Sequence, residues 1–427
     1  MLDIHLIRES PQVVRDSLQK RGAAEKLHVL EEIIAKDLEW RELLKEVDAL
    51  KHRRNVLGRE IAEAKRAAKD TVAPQKEAAE IPKQMEAKEQ LLEALRGEVD
   101  AHLRSLPNLL HEAVPVGKDD SENVERRRWG EPRKPDFELR PHGELLEALD
   151  LGDFERARKV AGAGFVYLKG AIVRLDLALM QYALDFLGKR GYTPVLPPYL
   201  LRRSAYEGLV DLGDFETVMY KVEGEELYLI ATSEHAVGAM YQGEILDGDR
   251  TPLKFAGISP CFRREIGAHG VDTKGLFRMH QFNKVEQFVF CTPETSWAIH
   301  EELIANAEAI FQALQIPYRV VDCCTGDLGA VAARKYDLEA WSPRQGKYVE
   351  VVSCSNCTDW QARRLNIRVG KAGGEKRVAH TLNSTAVATS RALVAILEHF
   401  QNADGTVTVP EVLRPYMSGA ETLGRAP

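Results

Sequence analysis

A repeating spacing of three and four residues runs through the first quarter of the chain, and no other feature restricts the fold as much. Leu43, Val47, Leu50, Arg54, Leu57, Ile61 and Ala64 mark one heptad seam. After an interruption at Asp70-Thr-Val-Ala-Pro74, Met85, Leu92, Leu95, Val99 and Leu106 mark a second. Such a seam needs a partner helix, which is either another copy of the chain or the chain's own next segment. The proline-marked break favours folding back into an antiparallel hairpin. At about 1.5 Å rise per residue, roughly 40 residues make an arm of about 60 Å. Pro107 follows the second helix, where helices rarely continue.

One face of the arm's outer half is basic: Lys51, His52, Arg53, Arg54, Arg59, Lys65, Arg66 and Lys69. A solvated coiled-coil surface accounts for these residues, and so does a stripe that meets phosphates and releases counterions. The net charge of −7 excludes a chain that is basic throughout, but a local stripe is enough for nucleic acid.

With 427 residues the chain exceeds one typical domain. Residues 1–110 read as the arm and 111–145 as a polar linker punctuated by Glu131-Pro-Arg-Lys-Pro135. Residues 146–427 read as an α+β domain on a mostly antiparallel sheet. There the helical Ile172–Leu187 alternates with strand-like runs at 227–230, 287–291 and 318–322. No run of about 18 apolar residues suits a membrane span. Met1-Leu-Asp-Ile-His-Leu-Ile-Arg lacks the layout of a signal peptide, and six cysteines in this length point to a reducing cytoplasm.

The sequence has neither a Gly-x-x-x-x-Gly-Lys phosphate loop nor a dinucleotide glycine fingerprint. A nucleotide would therefore be held by side chains on a sheet. Cys261-Phe-Arg-Arg-Glu265, a loop from Gly267 to Gly275, and Leu276 through Glu286 read as a long hairpin. An arginine beside a carboxylate can clamp a phosphate while the acid accepts from a base amine, although such triplets are often surface ion pairs.

The partners of this hairpin give it a context. Phe262-Arg-Arg-Glu265 through Arg278-Met-His-Gln-Phe-Asn-Lys-Val-Glu286 resembles motif 2 of class II aminoacyl-tRNA synthetases in its seryl form, over about 261–290. Arg190-Gly-Tyr-Thr-Pro-Val-Leu-Pro-Pro198 resembles motif 1 (about 189–201), and Thr381 through Arg391-Ala-Leu resembles motif 3 (about 381–395). Cys324-Thr-Gly-Asp-Leu-Gly329, Tyr336-Asp-Leu-Glu-Ala-Trp341 and Ser353-Cys-Ser-Asn are similar to seryl enzymes, as is Val409 through Tyr416. The likeness to the seryl-tRNA synthetase family spans nearly the whole chain.

That resemblance implies ATP-dependent activation of L-serine and its transfer to tRNA(Ser), and to tRNA(Sec) where the cell has one. It implies a homodimer built on motif 1, a cytoplasmic location and Mg²⁺ as cofactor. Catalysis would fall to Arg263 and Arg391. ATP would meet Arg263, Arg264, Glu265, Phe277, Met279, Glu350, Val351, Val352, Ser353 and Arg391, with Glu350 and Ser353 also holding Mg²⁺. Serine would meet Thr232, Ser233, Glu234, Arg263, Glu286, Asn383 and Thr385. Lys51, Arg53, Arg54, Arg59, Lys65 and Arg66 would meet tRNA.

Motif 3 departs from the commoner bacterial Gly-Ser-Gly, with Ser384-Thr-Ala386 in its place; the Thr385 methyl tightens the pocket while a hydroxyl survives. Cys354-x-x-Cys357 invites a zinc reading, but no second histidine-cysteine pair has matching spacing, so free thiols and no structural zinc are expected. Two rival functions are a homologue that loads carrier proteins, which would lack the arm, and a non-catalytic binder, which would not need the charged set.

Overall fold

The computed structural model describes residues 1–211, 217–265, 275–371 and 373–424. It divides into two compact units, 1–107 and 108–427.

In the first unit, short helices α1 (Ile4–Glu9) and α2 (Pro11–Arg21) precede two long ones, α3 (Leu27–Arg66) and α4 (Val72–Ser105). Asp37 of α3 is buried and receives Arg8 at 2.6 Å and Arg41 at 3.0 Å, which ties α1 to the base of the arm. The hairpin core follows the expected seam in Leu43, Val47 and Leu57 of α3 and Met85, Leu95 and Val99 of α4, all buried; Ile81, outside the expected spacing, joins it, and Leu92 is half-buried. Arg54 is not part of it. Its side chain is exposed, because the neighbouring Leu50 and Leu57 carry the seam past that turn. Register is fixed by ion pairs across the hairpin, including Lys51–Glu89 at 3.4 Å, Arg53–Glu77 at 2.7 Å and His102–Glu32 at 3.4 Å. The reversal occupies 67–71, so Pro74 sits inside the first turn of α4, where its missing N–H is no loss.

The second unit is built on an eight-stranded sheet. Its strands are β1 (Val124–Trp129), β2 (Thr193–Val195), β3 (Leu253–Phe262), β4 (Gln281–Cys291), β5 (Tyr318–Asp322), β6 (Arg334–Ser342), β7 (Lys347–Asn356) and β8 (His380–Ala388). The spatial order is β1-β5-β6-β7-β8-β4-β3-β2, antiparallel except for the β2–β3 pair at the edge. The polar stretch 111–145, expected as a linker, holds strand β1. It reads as a linker because an edge strand can carry long ionic side chains: Arg127 reaches Glu308 and Arg126 lies 4.6 Å over the Tyr336 ring.

Helices Ala171–Gly188, Ser296–Ala313 and Thr389–His399 cover one face of the sheet and form the main core with Val285, Val289, Val352, Cys354 and Leu382. Strand side chains alternate between faces, so Phe282, Lys284 and Glu286 point the other way, into a cavity. None of the described helices is long and apolar enough to cross a membrane.

Candidate active site

The cavity has a volume of about 580 Å³. Two β-bulges select what faces it. On β7 the pairing slips between Leu338↔Val352 and Glu339↔Glu350, leaving Val351 as the extra residue. In strict alternation Glu350 would share the core face of Val352 and Cys354; the bulge turns it to the cavity with Ser353 and Ser355. On β8 Asn383 and Thr385 face the cavity in regular register, and a second slip at Ala386 turns Ala388 to it while Val387 packs in the core.

The short helix Ser233–Gly238 delivers Glu234. Its cap is Thr232, whose side chain accepts from the Glu234 N–H at 3.2 Å. Ser233 turns away and donates to the Gly257 carbonyl at 3.0 Å. Gly257 is required there, since a Cβ would come within 2.7 Å of Ser233 Oγ. Glu234 accepts from Asn383 Nδ2 at 3.0 Å and from Gln361 Nε2 at 3.4 Å.

Opposite, Glu286 of β4 pairs with Thr385 of β8 in register, and Thr385 Oγ1 donates to its Oε2 at 3.4 Å. Lys284 Nζ lies 2.5 Å from the same oxygen. Burial raises the Glu234 carboxyl, with Glu286 adding repulsion and Lys284 and Arg263 opposing, to about 7. Burial also raises Glu286, against the pull of Lys284 and Arg263. His235 is driven down to about 3 by burial and the same two cations, so its ring is neutral.

A second group of residues gathers around Arg391, at the start of helix Thr389–His399. Its Nη1 reaches Glu350 Oε1 at 3.0 Å and the Glu350 carbonyl at 2.9 Å, and its guanidinium lies 5.1 Å over the Phe277 ring. Met279 and Arg263 line the same cavity; Arg263 Nε donates to the Ala231 carbonyl at 3.3 Å. Glu265 faces Arg278 at 3.7 Å. Lys335 sits 3.2 Å from both Asp327 and Asp337. Burial and Glu350 raise the Asp337 carboxyl to about 6 despite Lys335.

Most residues expected at the site therefore line one cavity: Thr232, Glu234, Arg263, Glu265, Phe277, Met279, Glu286, Glu350, Val351, Ser353, Asn383, Thr385 and Arg391. Three do not. Ser233 is buried under the helix, Val352 is packed in the core, and Arg264 is exposed outside the cavity with its N–H on the Val218 carbonyl. The loop expected from Gly267 to Gly275 lies, apart from Gly275, outside the described residues.

Sequence reasoning missed Lys284, Lys335, Asp327, His235 and Gln361. Lys284 carried a usable signal, because two-residue spacing puts it on the Glu286 face of the strand. All six cysteines are free and buried; Cys357 lines the cavity while Cys354 joins the core. Among the described residues the one cluster of three or more His, Cys, Asp or Glu ligand atoms is Cys323, Asp327 and Asp337, and Lys335 lies 3.2 Å from both of its carboxylates.

The seryl-tRNA synthetase N-terminal domain matches residues 1–110, and the class II tRNA synthetase core domain (G, H, P, S and T) matches 217–400. A serine–tRNA ligase of Methanocella arvoryzae is 60% identical over 425 residues, covering 99% of this chain and 100% of its own. The crystal structure of seryl-tRNA synthetase from Pyrococcus horikoshii complexed with ATP aligns at a TM-score of 0.96 and 50% identity, over 100% of both chains. The cytoplasmic serine–tRNA ligase of Naegleria fowleri, in complex with AMP, aligns at 0.92 and 35% identity, over 100% of this chain and 99% of that one. The chain belongs to the seryl-tRNA synthetase family.

Proposed function

We propose that the chain activates L-serine with ATP and transfers the seryl group to tRNA(Ser), and to tRNA(Sec) where that tRNA exists. One observation carries this reading. Two acids, the buried Glu286 and the half-buried Glu234, share a cavity with Arg263, Arg391 and the Phe277 wall. The acids suit an ammonium and a hydroxyl, and the arginines suit a carboxylate and phosphates.

In the first step the serine carboxylate attacks the α-phosphorus and pyrophosphate leaves. Arg263 neutralises charge on the α-phosphate and on the serine carboxylate. Arg391 leaves Glu350 for the γ-phosphate while its plane and Phe277 enclose the adenine. Glu265 accepts from the adenine amine, and the Val351 backbone and Met279 border the nucleotide. Glu234 takes the ammonium, Glu286 the hydroxyl, and Thr232, Asn383 and Thr385 hold these acids in place. In the second step the terminal adenosine hydroxyl of tRNA attacks the carbonyl of the seryl-adenylate; the acyl–phosphate bond breaks, AMP leaves and the hydroxyl proton is lost. No side-chain nucleophile is needed; positioning and charge neutralisation carry the rate.

Glu350 and Ser353 supply hard oxygen donors on the cavity wall, which fit Mg²⁺ completed by phosphate oxygens. The ion would supply further neutralisation of the phosphates. On the arm, Arg54, Arg59, Lys65 and Arg66 are exposed and have no ion-pair partner among the described residues, which supports a tRNA contact; Lys51 and Arg53 are already paired. A cytoplasmic homodimer completes the proposal. Exposed Leu177, Leu196 and Leu200 around the motif 1 segment support an apolar interface.

Serine-dependent ATP–pyrophosphate exchange tests the first step, and charging of tRNA(Ser) by the full chain and by a chain lacking residues 1–107 tests the second. Exchange is expected with serine over alanine and threonine, and charging is expected to need the arm. Exchange that does not prefer serine, or equal charging without the arm, overturns the corresponding half.

A further inference from the structure

Both protein donors on Glu286 converge on one oxygen. Lys284 Nζ and Thr385 Oγ1 reach Oε2, and among the described residues no donor reaches Oε1. Lys284 and Glu286 are 5% and 2% exposed, two residues apart on β4, and both line the cavity. A buried ammonium is costly unless paired, so the lysine is bound to Glu286 as firmly as Glu286 is bound to it.

Other groups bear on the same acid from every side. Glu234 faces it from the helix Ser233–Gly238, whose His235 lines the same cavity, and Cys261 and Arg263 face it from the end of β3. Thr385 comes from β8 and Cys354 from β7, while Asn383 and Cys357 line the cavity beside Glu234. Of these, the cations acting on Glu286 are Lys284 and Arg263, and only Lys284 is hydrogen-bonded to it.

We propose that Lys284 is a positioning residue of the serine site: with Thr385 it anchors one oxygen of Glu286 and presents the other oxygen to the substrate hydroxyl. The inference rests on the serine-activating reading above. An ionised carboxylate only accepts hydrogen bonds, whereas a protonated one brings a donor of its own. Lys284 thus makes Glu286 a reader of hydroxyl donors, which serine has and alanine lacks. Lys284 opposes the burial that raises the Glu286 carboxyl, so its loss favours the protonated form and rising pH favours the carboxylate again.

The test is ATP–pyrophosphate exchange by the full chain and its Lys284→Met, Lys284→Gln and Lys284→Arg variants, with KM for serine and for ATP followed from pH 6.5 to 9. Lys284→Met is expected to raise the serine KM at neutral pH at least about tenfold. ATP KM should stay within about twofold, a split that global damage to the fold would not produce. The serine defect should shrink as pH rises, and Lys284→Arg should restore most of the affinity. Lys284→Gln keeps a donor without the charge; it should show the same pH-dependent defect and stands in if the methionine variant does not fold. A parent chain without serine-dependent exchange removes the serine reading and this inference with it. A parent that exchanges, beside variants whose serine KM is unchanged or raised equally at all pH values, overturns the role of Lys284 alone.

Discussion

The arm and the cavity use charge in opposite ways. On the arm, basic and acidic side chains sit on the outside of a hairpin whose seam holds it together. Arg53 and Glu77, or Lys51 and Glu89, meet in solvent. In the cavity, Lys284 and Glu286 are withdrawn from water and Glu234 is half-buried, and burial is the leading cause of the shifts of both carboxyls. A charge on the arm adds to a diffuse field that salt screens. A charge in the cavity has named partners, and its loss leaves them unpaired in a poorly hydrated space. Substitutions should therefore separate the two regions by size of effect and by response to salt.

The largest contrast sets Arg263→Ala against the joint replacement of Arg54, Arg59, Lys65 and Arg66 by Ala. Arg263 donates to the Ala231 carbonyl and its field acts on both acids. Its loss should cut pyrophosphate exchange by about 10²–10³-fold, the scale of removing one preorganised donor to developing charge. The arm variant should exchange at the parental rate yet charge tRNA at least about tenfold less well at moderate salt, with a shallower salt dependence. A parallel fall in exchange would break the division of labour between the regions.

A mid-sized effect concerns Glu234, whose carboxyl is held up at about 7 in the folded chain against an ordinary value of 4.5. Between those values the folded state keeps a proton that the unfolded state has lost, so this group's contribution to stability declines as pH rises through that window. Above about 7 the whole penalty is present. Glu234→Gln should then raise the melting temperature at pH 8 by about 1–3 °C and change it little near pH 4.5. It should also abolish serine activation, because the ammonium loses its counter-charge. In the parent chain, serine KM should fall between pH 6 and 8 as Glu234 ionises. A stabilised variant that still activates serine would detach Glu234 from the substrate.

The same contrast explains what was legible in the sequence. The arm could be read because its core is a local repeat: buried Leu43, Val47 and Leu57 recur at heptad spacing, and only Arg54 departs from it. The cavity residues were legible through resemblance more than through physics, since Glu234, Glu286, Glu350 and Arg391 come together only in the folded sheet. Periodicity failed where the backbone breaks it. The bulge at Val351 sends Glu350 to the cavity and Val352 to the core, and no spacing rule marks an extra residue. Ser233 failed for another reason: its hydroxyl packs the capped helix against Gly257, although its neighbours Thr232 and Glu234 line the cavity. The 111–145 stretch failed because an edge strand and a linker can share the same polar composition.

The smallest effect sharpens the arm itself. Arg53 and Arg54 are adjacent, and the sequence offers both to tRNA, but the hairpin treats them differently. Arg53 is held by Glu77 through Nε at 2.7 Å and faces Glu60 at 3.5 Å, whereas Arg54 is exposed and has no partner among the described residues. To meet a phosphate, Arg53 must first give up Glu77; Arg54 gives up only water. Arg54→Gln should therefore weaken tRNA binding a few-fold and lower the salt slope by about one phosphate contact, while Arg53→Gln should do less of both. Exposed pairs contribute little to stability, so both variants should melt within about 1 °C of the parent. Measuring the two salt slopes side by side decides the matter. Equal slopes would mean that the Arg53–Glu77 pair opens on binding, and the stripe would then be set by sequence position instead of by which charges the hairpin leaves free.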